Sequence, residues 1–285
     1  MRHPVFVTLC LGTALALSAC GDSREARVEK AVKQVNQVDE SNLNAIMMTV
    51  ADPKEAVAYF RKGVAKKPDD IAMQRGLAAS LVRAGAPDEG AKVWAKVAAM
   101  PGGTEDDKVN QAGALIRANK WKQAEAVLNT VPPTHETYQR YRLEAMVADS
   151  KKQWKKADSF YETAAGMTTR PAGVYNNWGF SKLTRGDYAG AEKLFARALT
   201  YDPTLFTAKN NLVLARGAQR KYDLPLVKMT QTERAHLLYT LALTAIKQDD
   251  VAVGKSLLQD AIATSPQYFE AAQRSLDALN EKVSD

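Results

Sequence analysis

Apolar and small residues return along this chain in blocks spaced by 33 or 34 positions. The clearest block runs from Tyr175-Asn176-Asn177-Trp178-Gly179 through Arg185-Gly186-Asp187-Tyr188 to Ala191, Phe195, Ala198 and Pro203. A step back of 34 finds the same residue classes at Ala145, Trp154, Ala157, Tyr161 and Ala164, and a further step of 33 finds Ala112, Trp121, Ala124, Leu128 and Val131. Agreement at so many places marks an internal repeat. Weaker copies lie on both sides. Upstream, Ala79, Ala91, Ala95 and Ala98 sit 33 before their counterparts, and Lys54 to Lys66, with Ala56, Phe60 and Pro68, makes an earlier helix. Downstream, Thr204 to Ala218 reads as a helix, and the pattern then breaks at Tyr222-Asp223-Leu224-Pro225, where an extended insertion over 222–230 with a helix cap at Thr230 or Thr232 is expected. It resumes at Ala242, Gly254, Leu258, Ala261 and Pro266, and Gln267 to Lys282 is an amphipathic closing helix. A composition rich in Ala, Lys, Leu and Gln, with 11 Pro spaced mostly far apart, agrees with many short helices.

The block resembles the tetratricopeptide repeat (TPR), a 34-residue helix-turn-helix unit. The resemblance implies that Gly179 and Ala191 are the small residues where paired helices cross, that Tyr188 and Phe195 fill the space between them, and that Pro203 is the stop. It implies an all-α fold, a right-handed superhelical solenoid with a concave inner surface. Trp121, Trp154 and Tyr188 are expected in its core. The expected organisation is a 1–19 leader, a 20–38 linker and first helix, repeats over 39–221 that are clearest at 105–205, the 222–230 insertion, a last unit at 231–266, and a cap and tail at 267–285.

The first twenty residues carry a different pattern. After Met1-Arg2-His3 comes Val5 to Leu17, an apolar stretch of 13 residues without charge. It is too short for a hydrocarbon core of about 30 Å, which needs roughly 20 helical residues, but it suits a signal-peptide core. Leu17-Ser18-Ala19-Cys20 resembles the bacterial lipobox, which implies cleavage before Cys20 and acylation of its sulfur. Burial of about 0.8 kcal/mol per methylene would then hold the chain on a membrane. Gly21, and not Asp, follows the cysteine, so the resemblance implies the outer membrane, facing the periplasm. The mature chain is then left without a thiol, and the formal charge falls from +7 to +6, because the leader removes Arg2 and no acid.

The search for reactive constellations gives no catalytic site. His135 and His236 do not cluster, and His-Glu-x-x-His, Gly-x-Ser-x-Gly and paired cysteines are absent from the 285 residues. Gly85-Ala86-Pro87-Asp88-Glu89-Gly90-Ala91-Lys92 lacks the Gly-Lys-Ser/Thr of a phosphate loop. Glu105-Asp106-Asp107 and Asp249-Asp250 read as helix-start and turn acids, not metal ligands. The basic cluster Lys151, Lys152, Lys155 and Lys156 reads as a solvated face, with an anionic headgroup or acidic partner as the alternative. The expectation is a non-enzyme without metal, cofactor, nucleic acid or small-molecule substrate.

The functional signal is an asparagine pair repeated 34 residues apart, Asn176-Asn177 and Asn210-Asn211. In tetratricopeptide proteins that bind extended peptides, asparagine at this place bonds the guest backbone; Asn177 and Asn211 match it. The groove-facing register adds Phe180, Leu183 and Leu214, with Arg142 and Met146 one unit earlier and Tyr239 after the insertion. An amide donates and accepts at once, and Phe180 or Leu214 could bury an apolar guest side chain. Equally, asparagine there could serve helix packing alone. The run from Asn176 to Ala218, the Leu224-Pro225 break and Gln231-Thr232-Glu233-Arg234-Ala235 resemble the tetratricopeptide lipoprotein of the Tad (Flp) tight-adherence pilus system. That resemblance implies a pilotin-like adaptor for secretin or pilus-assembly components. An adaptor for outer-membrane barrel assembly or cell-wall enzymes is the alternative.

Overall fold

The computed structural model describes residues 42–281. The expectations for the 1–19 leader, for Cys20 and for the linker to residue 38 lie outside the described residues. Those residues form helices and turns, without a strand. A helical stretch at 42–49 leads to α1 (Pro53–Lys66). Helix pairs follow: α2 (Ile71–Arg83) with α3 (Pro87–Ala99), α4 (Glu105–Arg117) with α5 (Trp121–Leu128), α6 (Tyr138–Ser150) with α7 (Trp154–Gly166), and α8 (Ala172–Thr184) with α9 (Tyr188–Tyr201). Helix α10 (Phe206–Gly217) has no second helix of its own; α11 (Gln231–Lys247) pairs with α12 (Val251–Thr264), and α13 (Glu270–Glu281) closes the row.

Local chemistry sets these boundaries. Asp52 and Asp70 accept hydrogen bonds from the first free N–H groups of α1 and α2, and Pro53 and Pro87 occupy first-turn positions where no donor is needed. Thr230 and Glu233 exchange side-chain bonds with each other's backbone at the start of α11, a full capping box. Each of these five pairs turns through one left-handed residue, at Gly85, Asn119, Lys152, Gly186 and Asp249, and Arg220 takes the same conformation before the insertion. Behind it an N–H reaches back five residues, as from Lys120 to Leu115 (2.8 Å) and from Gln153 to Ala148 (2.9 Å). Glycine and asparagine accept that conformation easily, whereas Lys152 and Arg220 hold it against side-chain strain.

Packing follows the repeat. Phe60, Trp94, Leu128, Tyr161 and Phe195 stand one per unit in the core, facing small residues such as Ala112, Ala145 and Gly179. A Cβ on Gly179 would lie 2.7 Å from the Phe195 ring, so only glycine allows the helices to meet there. First helices also pack on the next first helix, α4 on α6, α6 on α8 and α8 on α10. The buried side chains fall into four successive clusters along the chain, each shared by neighbouring units.

Two expectations about the core are corrected. In the upstream copy the spacing is 34, not 33: Ala78, Gly90, Trp94 and Val97 are buried, whereas Ala95 is exposed. Matching alanine to alanine slipped the register because the small place there is filled by glycine and the large one by tryptophan. Secondly, Trp121, Trp154 and Tyr188 do not fill the core. They begin the second helices, where side chains lean back over the preceding turn, and Tyr188 stays 38% exposed while both tryptophans are half-buried.

Candidate functional site

Because first helices stack side by side, their free faces line one concave surface, and two clefts open along it. The first, of about 480 Å³, lies between α6, α8 and α10 and contains Met146, Asn176, Asn177, Phe180 and Asn211. The second, of about 520 Å³, lies between α8, α10 and α11 and contains Leu183, Leu214, Tyr239 and Leu243. Apart from Asn210 and Arg142, which line neither, the sequence-selected residues divide between two neighbouring clefts.

In the first cleft the asparagines form a short row. Asn211 Nδ2 donates to Asn176 Oδ1 (3.1 Å), and Asn177 Nδ2 donates to the Met146 sulfur (3.5 Å). Asn176 Nδ2 and the carbonyl oxygens of Asn177 and Asn211 have no partner among the described residues, which leaves one donor and two acceptors for a guest backbone. Phe180 is 52% exposed, a large apolar surface without a cover. Asn210 stands apart from both clefts: its Oδ1 accepts from the Thr240 hydroxyl (2.8 Å) and ties α10 to α11. Arg142 precedes Met146 by one turn on α6, with its Nε buried and without a hydrogen-bond partner.

The floor of this cleft is rigidly bonded. Asp149 accepts from the Tyr161 hydroxyl (2.9 Å) and the Ser181 hydroxyl (2.7 Å), linking α6, α7 and α8. Burial pushes the Asp149 carboxyl above its usual value, with those two donors pulling the other way. Burial, and then Asp149, push the Tyr161 phenol well above its ordinary range. Nearby, Asp158 binds Trp178 Nε1 (2.6 Å), Arg185 (2.5 Å) and Lys182 (3.3 Å). Desolvation pushes Asp158 up, but the bonds from Arg185 and Trp178 outweigh it and hold the carboxyl low. Such bolts fix the first helices at set spacings, so the row of amides is pre-arranged.

Trp121 and Trp154 also line the first cleft, contrary to their expected place in the core. Their position at the first residue of a second helix was the available signal. The Lys151–Lys156 cluster lies on that turn: Lys151 pairs with Glu125 (2.8 Å), Lys156 lies over Phe160 (5.6 Å), and Arg185 lies over Trp154 (5.5 Å). Among the described residues no group of three or more His, Cys, Asp or Glu could hold a metal, and no helix is long and apolar enough to cross a membrane.

No family model matches the sequence, and no curated protein matches it. Solved structures do match by shape. A tetratricopeptide repeat protein from Parabacteroides merdae aligns with 91% of this chain and 99% of its own, at TM-score 0.51 and 13% identity. The fold is a tetratricopeptide solenoid. The solenoid also matches the APC/C hetero-tetramer Cut9-Hcn1 over 83% of this chain and 48% of that one, at TM-score 0.59 and 14% identity. Human IFIT1, solved as a dimer with m7Gppp-AAAA, aligns with 83% of this chain and 61% of its own, at TM-score 0.58 and 14% identity. The chain thus spans about half the length of the Cut9-Hcn1 chain it matches.

Proposed function

We propose that this protein is a protein-protein interaction scaffold that holds an extended segment of a partner in the concave groove. The observation that supports it most is the first cleft, where three amides on α8 and α10 each keep one unpartnered polar atom beside the exposed Phe180 ring. An extended peptide offers an unpaired donor and acceptor at every residue, and amides on neighbouring first helices can satisfy both. The second cleft, around Leu183 and Leu214, continues the path toward α11 and would take a further apolar side chain.

The lipobox resemblance at Cys20 supports a tether to the periplasmic face of the outer membrane, and the resemblance to the Tad (Flp) lipoprotein supports a pilotin-like role toward secretin or pilus-assembly components. A role as adaptor for outer-membrane barrel assembly or cell-wall enzymes would use the same groove. Cys20→Ala should abolish palmitate labelling and release the protein from the membrane fraction; a labelled variant refutes the tether. Crosslinking and pull-down from detergent-solubilised envelopes should recover the partner with wild type. Recovery should fall about tenfold or more with Asn177→Ala and Asn211→Ala combined, at unchanged helicity. Undiminished recovery refutes the groove.

A further inference from the structure

Arg142 lies one turn before Met146, a residue of the first cleft, with nothing to neutralise it. On α6 it holds the register place that Asn176 holds on α8 and Asn210 on α10, each 34 residues on. Its Nε is buried and unpartnered, and no carboxylate among the described residues forms an ion pair with it. The titratable groups that bear on it are the phenols of Tyr138 and Tyr161 and a second cation, Arg117, at the end of α4. Burial draws the guanidinium below its ordinary pKa, and Arg117 adds to that. Asp149, the acid of the first cleft, has its oxygens engaged by Tyr161 and Ser181.

A half-buried cation whose Nε is shut off from water and that has no counter-charge is costly to keep in a fold. Packing does not require it here, because the equivalent place one unit earlier is Val109, buried without charge, and the arginine two units earlier, Arg75, has Asp107 as its counter-charge. What the site lacks is a carboxylate, and a guanidinium fork binds one through two parallel hydrogen bonds. Resting on the groove reading above, we propose that Arg142, with Arg117 behind it, sets the groove's specificity by receiving a Glu or Asp side chain of the bound segment. The segment's backbone lies on the asparagine row and a neighbouring apolar residue packs on Phe180.

The test uses the full chain and fluorescein-labelled decapeptides, acetylated and amidated, that pair a central Leu with either Glu or Gln; a third arm has Gln and a free C-terminal carboxylate. Wild type should bind the Glu peptides about tenfold or more tighter than the Gln peptides at low salt, a gap that narrows as salt screens it. Arg142→Met should remove the gap, Arg142→Lys should keep part of it, and Asn177→Ala with Asn211→Ala should weaken Glu and Gln peptides alike. Since Arg142→Met also removes an unpaired, half-buried charge, its melting temperature should rise by about 2 °C or more. Equal affinity for Glu and Gln peptides, a gap that survives Arg142→Met, a preference confined to the free C-terminal carboxylate, or a fall in melting temperature with Arg142→Met each overturns the proposal. The groove reading then stands as long as binding still depends on Asn177 and Asn211. Absence of binding by every peptide, or binding indifferent to those asparagines, overturns both.

Discussion

Asp107 is buried on α4 and still ionised, because Arg75 on α2 grips both its oxygens at 2.8 and 2.7 Å. Desolvation pushes this carboxyl up, but the bonds from Arg75 and from the Thr104 backbone outweigh it and hold it below the usual carboxylate range. A carboxyl whose folded pKa is depressed adds stability above its unfolded pKa and loses it as pH falls through the folded value. Asp107→Asn should therefore lower stability at pH 7 by about 1–3 kcal/mol. The gap to wild type should stay constant down to about pH 5, then narrow from near 3.8 downward. Melting followed by circular dichroism at pH 7, 5, 3 and 2 checks this; a gap that does not narrow in acid removes the ion pair as its cause. In sequence Glu105-Asp106-Asp107 read as three equivalent helix-start acids. The fold gives them separate partners, Lys108, His135 and Arg75, the last two 29 and 32 residues away.

At the scale of elements, the question is how closely paired helices can meet. Gly179 on α8 faces Phe195 on α9, whereas the corresponding pair one unit earlier is Ala145 with Tyr161, and two units earlier Ala112 with Leu128. The small place thus takes glycine against Phe195 and alanine against Tyr161 or Leu128. Gly179→Ala alone should overpack against the ring and cost about 1–3 kcal/mol. Phe195→Leu alone should leave a cavity and cost a similar amount, about 1–3 kcal/mol. Combined, they recreate the Ala112–Leu128 arrangement, so the double variant should be more stable than the sum of the single losses by about 1 kcal/mol or more. Strict additivity in urea unfolding would contradict the close approach. The small and large classes at these places were legible from the repeat. That Gly90 and Trp94 serve in the upstream unit was not, because residue identity alone cannot distinguish a 33-residue from a 34-residue step when alanines lie on both sides.

For the whole molecule, cohesion is passed from unit to unit, and it narrows at 222–230. That segment has no helix, and Leu226 in it is fully exposed. It is held at its start, where the Tyr222 hydroxyl bonds Asp250 and Arg216 bonds Asp223. Across it, α10 and α11 remain joined by Lys209–Glu233 (2.9 Å), by Asn210–Thr240 (2.8 Å) and by Val213 packed with Leu237 and Leu241. Within residues 53–264, limited trypsin should cut first at Lys221 or Lys228, which are exposed. The two pieces should elute together on gel filtration and separate only in denaturant. An earlier cut inside α4 to α9, or separation of the nicked pieces without denaturant, would contradict this account.

The sequence by itself determined the helical unit, its recurrence, the break after α10 and the residues that face the groove, because each is written in short-range spacing and turn chemistry. Only the tertiary structure decided what those residues do. Asn176, Asn177, Asn210 and Asn211 look alike in the chain, yet stacking leaves the first two and Asn211 in a cleft and spends Asn210 on Thr240. Arg142 reads as one more groove residue until the fold sets it beside phenols and another arginine, with no acid paired to it among the described residues. Hydrogen-bond satisfaction and charge pairing depend on groups brought together from distant units, so they exist only once the units are stacked.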